Sequence, residues 1–236
     1  PHPHAGFSAV TYVLRESPGS LRNRDSLGGH AVVGPGGACW LEAGSGAEHE
    51  EIPADSGKPI HGLQIFVNLR SKHKASPPRS LSVHAEQVPI WRSDDGGAVV
   101  RAVIGSYTGL ASPLAPLEPF TLLDVELRNE VSFPLMERHN VLIYVRRGAA
   151  VVQAGADRIA APQLLCVDLG PQRHVLSRHE PEVVREAGRY FEAHADGIAA
   201  FTTDVGDGQR VKMKHGGFRK EGTRQETARI DSLTDI

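Results

Sequence analysis

His2-Pro3-His4 at the start of the chain and His49-Glu50-Glu51 further along carry the residue types and spacing best suited to chemistry. His2 with His4, and His49 with Glu51, have the i, i+2 spacing that places alternate side chains on one face of a β-strand. Two such strands facing each other would bring three imidazoles and one carboxylate together. That donor set suits Fe(II), Mn(II), Ni(II) or Cu(II), and Zn(II) also accepts it. Four protein ligands leave one or two coordination positions for water, substrate or dioxygen, and an open site favours chemistry over a purely structural ion.

Context decides how much this means. With 12 His in 236 residues, composition alone gives about 0.6 chance His-x-His pairs. The second pair ends a longer ordered string, in which a Pro35-Gly36 turn leads into the apolar run Ala38–Ala43 and a glycine-rich corner, Gly44-Ser45-Gly46, delivers His49 and Glu51. This string resembles the pirin family of two-domain cupins. So does His2-Pro3-His4-Ala5-Gly6-Phe7, similar to the family's opening metal motif, followed by the strand-like Val10–Leu14. Arg24–Gly28 resembles the family's hairpin segment, and Gly62–Leu69 with Lys72, Lys74 and Pro77-Pro78-Arg79 its strand and linker after the metal motif. Phe120–Val125 and His139-Asn140 with Leu142–Val145 resemble the second domain, while His215–Phe218 and Thr223–Glu226 only faintly echo the closing segment.

The resemblance implies an all-β fold of two cupin barrels (double-stranded β-helix, or jelly-roll) packed together, with little helix. It also implies a metal bound by His2, His4, His49 and Glu51, with Fe(II) as the expected ion, and the quercetin 2,3-dioxygenase activity found among pirins. The substrates would be a small flavonol-like or other enolisable aromatic and O2, and Glu51, if it loosens from the metal, would accept the substrate proton as general base. Eukaryotic pirins imply an alternative, a non-catalytic, redox-sensitive, iron-containing co-regulator that meets a protein partner in the nucleus. Ser8 replaces a frequent glutamate and Phe66 a usual tryptophan, while residues 178–214 show little family pattern. Because the chain opens on Pro1 at the ligand motif, it is expected to lack upstream strands, as a fragment, a processed form or the ordered part of a longer protein.

The elements that must position these residues are strand-like runs between turn signals: Ala9–Leu14, His30–Gly34, Ala38–Ala43, Gly62–Leu69, Ser82–Val88, Val99–Ser106, Thr121–Leu127, Val141–Val145, Val151–Ala154 and Leu164–Leu169. The halves read as diverged copies, with Tyr12-Val13 matching Tyr144-Val145 and Pro35…Cys39 matching Pro162…Cys166. At those offsets His2, His4, His49 and Glu51 fall on Pro134, Met136, Leu176 and Arg178, so one metal per chain is expected. The proline-rich stretch Gly109–Pro119 reads as a partly rigid linker, placing the boundary near residue 118 between a metal-binding domain (1–118) and a metal-free one (119–236). Val183–Ala195 is compatible with a surface helix.

Composition bounds the rest. The 25 Gly and 16 Pro suit many turns, and 40% hydrophobic residues can fill two cores. A net charge of −2 removes the general drive toward nucleic acid. Two cysteines, Cys39 and Cys166, make no disulfide framework and favour a reducing compartment, hence a cytoplasmic chain, or a nuclear one if eukaryotic. No apolar run is long enough to cross a membrane, and a monomer is expected. The small basic clusters Lys72–Lys74 and Lys212–His215 read as solvated surface, Asp204–Gly208 as a turn, and His139 as a structural histidine. Phosphate-binding, dinucleotide and nucleophile-elbow motifs are absent.

Overall fold

The computed structural model describes residues 1–129, 131–133, 139–146, 150–154, 157–161, 164–170, 173–177, 198–204, 211–218 and 228–229, with side chains for 1–129, 131–133, 142–144 and 146. Its strands are β1 (His2–His4), β2 (Phe7–Val13), β3 (Leu21–Asp25), β4 (His30–Val33), β5 (Ala38–Glu42), β6 (Ala47–Pro53), β7 (Ile60–Asn68) and β8 (Arg79–Val83). There follow β9 (Ile90–Arg92), β10 (Ala98–Ile104), β11 (Ser106–Tyr107), β12 (Leu110–Ala111) and β13 (Phe120–Leu127). The remainder are β14 (His139–Val145), β15 (Ala150–Ala154), β16 (Asp157–Ala161), β17 (Leu164–Gly170), β18 (Arg173–Ser177), β19 (Ile198–Asp204), β20 (Val211–Phe218) and β21 (Ala228–Arg229). The helical segments among the described residues are two short 3-10 turns, Ser71–His73 and Ala85–Gln87. The fold is an all-β double cupin.

The chain forms two compact units that interleave in sequence. One contains β1–β8, Pro113–Glu118 and β20–β21, and the other contains β9–β19. The chain therefore passes between units after Val88, Ser112 and Glu118 and again between β19 and β20.

In the first unit a four-stranded sheet, β1-β6-β3-β4, accompanies a six-stranded one, β21-β20-β7-β2-β5-β8. β2 and β5 at the middle of the larger sheet are buried on both faces, whereas β7 alternates buried and partly buried side chains along most of its length. Val13, Leu21, Val33, Cys39 and Ile60 form a buried cluster drawn from both sheets. Cys39 behaves there as a small hydrophobe, its thiol pushed far up by burial. β3 went unread in the sequence because Leu-Arg-Asn-Arg-Asp offers one aliphatic side chain, although Leu21 and Asn23 are both buried. The run read as Ser82–Val88 stops at Val83, because the Gln87 Oε1 accepts the His84 N–H at 2.9 Å and the Gln87 N–H bonds back to the His84 carbonyl, turning the chain.

Pro113–Glu118 is held to this unit by two buried carboxylates. Glu42 accepts the Leu117 N–H and pairs with Arg79 Nε at 2.6 Å. Glu118 accepts the Arg70 N–H at 3.0 Å, pairs with its Nε at 3.2 Å and meets His73 Nδ1 at 2.7 Å.

The second unit contains a seven-stranded sheet, β18-β17-β14-β19-β13-β10-β9, and the hairpin β15-β16. Val100, Ala102, Tyr107, Leu123 and Val125 form its described core, with Trp91 and Phe133 packed against it. Strand pairing bears on the duplication. Cys39 faces Thr11, one residue before Tyr12, and Cys166 faces Leu142, two before Tyr144. The two copies thus agree in register to within one residue. β7 and β19 then flank β2 and β14 on their other edges.

Candidate metal centre

β1 pairs antiparallel with β6 in a register that sets His2 opposite His49 and His4 opposite Ala47. Residues opposite each other share a face and diagonal neighbours remain within reach of long side chains. All three imidazoles therefore meet, with ring centroids 4.6–4.8 Å apart. One ring nitrogen from each lies within 4.8 Å of the others. His2 is exposed, whereas His4 and His49 are buried, at 9% and 2% exposure.

His4 Nε2 lies 2.9 Å from His49 Nε2. Two nitrogens each about 2.0–2.1 Å from one ion, in adjacent octahedral positions, are roughly 2.9 Å apart, so the spacing fits a shared metal. Protonation works in the same direction. Burial, and then the neighbouring His4 and His2, push His49 down from 6.5 to about 4, which leaves its lone pair unprotonated at neutral pH. Its Nδ1 lies 3.3 Å from Asn23 Oδ1, so Nδ1 carries the hydrogen and Nε2 the lone pair that a metal requires. Asn23 is itself buried and sits opposite Glu51 in the β3–β6 pairing.

Glu51 lies two residues further along β6, outside the imidazole cluster. Its Oε2 accepts the Thr11 hydroxyl at 2.8 Å and the Gln64 amide at 3.2 Å, from β2 and β7. Burial raises its carboxyl from 4.5 to about 7 against the opposing pull of those two bonds.

Rings and backbone frame the site. Phe7 and Phe66, both half-buried, stand 5.4 Å apart and lie 5.1 and 5.9 Å from the His4 ring. An open groove of about 460 Å³ bordered by Pro3, Ser26 and Glu48 reaches His4. After the first motif the chain turns at Gly6, whose φ of +75° favours glycine. Its N–H bonds to the Gly44 carbonyl at 2.7 Å, and its carbonyl accepts Lys74 Nζ at 2.9 Å. At Gly44 a Cβ would meet the Ser76 carbonyl oxygen at 2.1 Å, so only glycine lets the corner deliver β6.

Comparison with known proteins identifies the family. Residues 1–67 match the family model described as Pirin. A pirin-like protein of Caulobacter vibrioides is 32% identical over 192 residues, covering 80% of this chain and 67% of its own. The chain belongs to the pirin family. A Pseudomonas aeruginosa protein named provisionally as a quercetin 2,3-dioxygenase is 33% identical over 159 residues, 64% of this chain and 54% of its own. The crystal structure of GK1651 from Geobacillus kaustophilus superposes with a TM-score of 0.62 at 28% identity, over 91% of this pirin and 76% of that chain. This pirin spans 42% to 67% of the length of the curated relatives it matches.

The structure brings together His2, His4 and His49 and holds Glu51 alongside, on the same strand as His49. Reading the sequence assigned no role to Asn23, Thr11 or Gln64. They act across strand pairs and between sheets, where no short-range spacing signals them. Pro134, Met136, Arg178, Val183–Ala195 and most of Asp204–Gly208 lie outside the described residues, as do the side chains of His139, Leu176 and Lys212–His215. No helix among the described residues is long and apolar enough to cross a membrane.

Proposed function

We propose that this pirin holds one Fe(II) through His2, His4, His49 and Glu51 and uses dioxygen to open a flavonol or a related enolisable, hydroxylated aromatic. The observation that carries this reading is the convergence of three imidazoles, with His4 and His49 Nε2 2.9 Å apart, beside the half-buried rings of Phe7 and Phe66. The provisional quercetin 2,3-dioxygenase name of the Pseudomonas relative supports the substrate class. A bound Fe(II) would supply Lewis acidity toward a substrate hydroxyl and electrons toward dioxygen.

The chain's own residues supply the rest. Phe7 and Phe66 offer apolar faces for a planar aromatic and help exclude water from it. Glu51, on loosening from the ion, would accept the substrate hydroxyl proton as general base. Asn23 keeps the Nε2 of His49 free of hydrogen and aimed at the ion. The test is oxygen uptake by Fe(II)-loaded protein with quercetin and several other flavonols, against His4→Ala prepared identically. Uptake that depends on substrate and is lost in the variant supports the reading. No rate above the variant with any flavonol refutes it.

A further inference from the structure

Thr11 and Gln64 stand directly opposite each other in the β2–β7 pairing, so both side chains rise from one face of the six-stranded sheet. Glu51 reaches them from β6 of the four-stranded sheet. Both donors end on the same atom, Oε2. A carboxylate oxygen has two lone-pair sites, so two donors saturate Oε2 and leave Oε1 to any further partner. Thr11 is buried at 2% exposure, and water does not compete for its hydroxyl.

We infer that Thr11 and Gln64 are positioning residues that fix the Glu51 carboxylate through Oε2, so that it ligates the metal with Oε1 alone. The inference rests on reading Glu51 as the fourth ligand. Fixing one oxygen lowers the entropy lost when the carboxylate binds an ion and makes the ligand monodentate, which preserves the open coordination positions. Removing either donor would free the carboxylate to rotate or to chelate with both oxygens.

Co(II) is the probe, because its visible absorption reports coordination number while chelator competition gives its affinity. Thr11→Val and Gln64→Met are near-isosteric and each carries the test independently. Each should weaken Co(II) binding about 10- to 100-fold, the usual effect of losing a partner of a metal ligand, and alter the visible band. Thr11→Ser, which keeps the hydroxyl, should restore both properties. In a Glu51→Ala background neither substitution should weaken binding further, because there is no carboxylate left to position. The inference is overturned if both variants bind Co(II) with wild-type affinity and spectrum, or if they weaken binding equally in the Glu51→Ala background. A Glu51→Ala protein that itself binds like wild type, while His4→Ala does not, instead removes the four-ligand reading beneath it.

Discussion

His4 and His49 approach through their Nε2 atoms at 2.9 Å although the strand register sets His2, not His4, opposite His49. The close pair is a diagonal one, in which His4 and His49 are buried while His2 is exposed. Without a metal, the two nitrogens can share only one hydrogen. With a metal, both lone pairs are used.

Asn23 should matter to metal affinity without touching the metal. Asn23→Leu leaves the Nδ1–H of His49 without its partner in a buried setting, a loss of about 1–3 kcal/mol in stability. It should also weaken metal binding about 10- to 100-fold. Chelator competition and urea unfolding of the same variant measure both effects, and unchanged values in both would remove the role assigned to Asn23.

The metal-free protein should respond to pH through two opposed groups. His49, lowered from 6.5 to about 4, binds its proton more readily when unfolded, so its contribution to stability is lost as pH falls from 6.5 toward 4. Glu51, raised from 4.5 to about 7, binds its proton more readily when folded, so its contribution is present below 4.5 and lost as pH rises through 7. The two offset each other in wild type. Glu51→Gln should expose the His49 dependence, giving a metal-free protein whose unfolding midpoint falls from pH 7 to pH 5 more than that of wild type. Identical pH profiles for both proteins would contradict these assignments.

Much of this was legible in the sequence, and the illegible parts have two causes, contacts between distant residues and one strand poor in apolar side chains. The i, i+2 spacing of His2 with His4 and the glycine-rich corner before His49 signal the strands that bring three imidazoles together, and the Tyr-Val and Pro…Cys repeats correspond in strand register to within one residue. His49–Asn23 and Thr11–Glu51 lie 26 and 40 residues apart, the first pair brought together by the β3–β6 register and the second by a hydrogen bond between strands of two different sheets. β3 escaped notice because its inward positions are one leucine and one asparagine. The joining of β20 to β7 likewise has no local signature, since the pairing spans most of the chain.

Glu118 should be a stability determinant remote from the chemistry. It is buried at 1% exposure and meets both Arg70 and His73. Glu118→Ala leaves the partly buried Arg70 guanidinium without its carboxylate and should cost about 3 kcal/mol, seen as a lower denaturation midpoint. Metal affinity of the folded protein should stay at the wild-type value. An unchanged midpoint would show that the pairing contributes nothing net.

The most direct test of the metal centre is metal content after anaerobic Fe(II) loading and a chelator wash, measured for wild type, His4→Ala and His49→Ala. The account predicts one iron per chain in wild type and loss of most of it in both variants. Wild-type protein that retains no metal, variants that retain as much as wild type, or two ions per chain would contradict it.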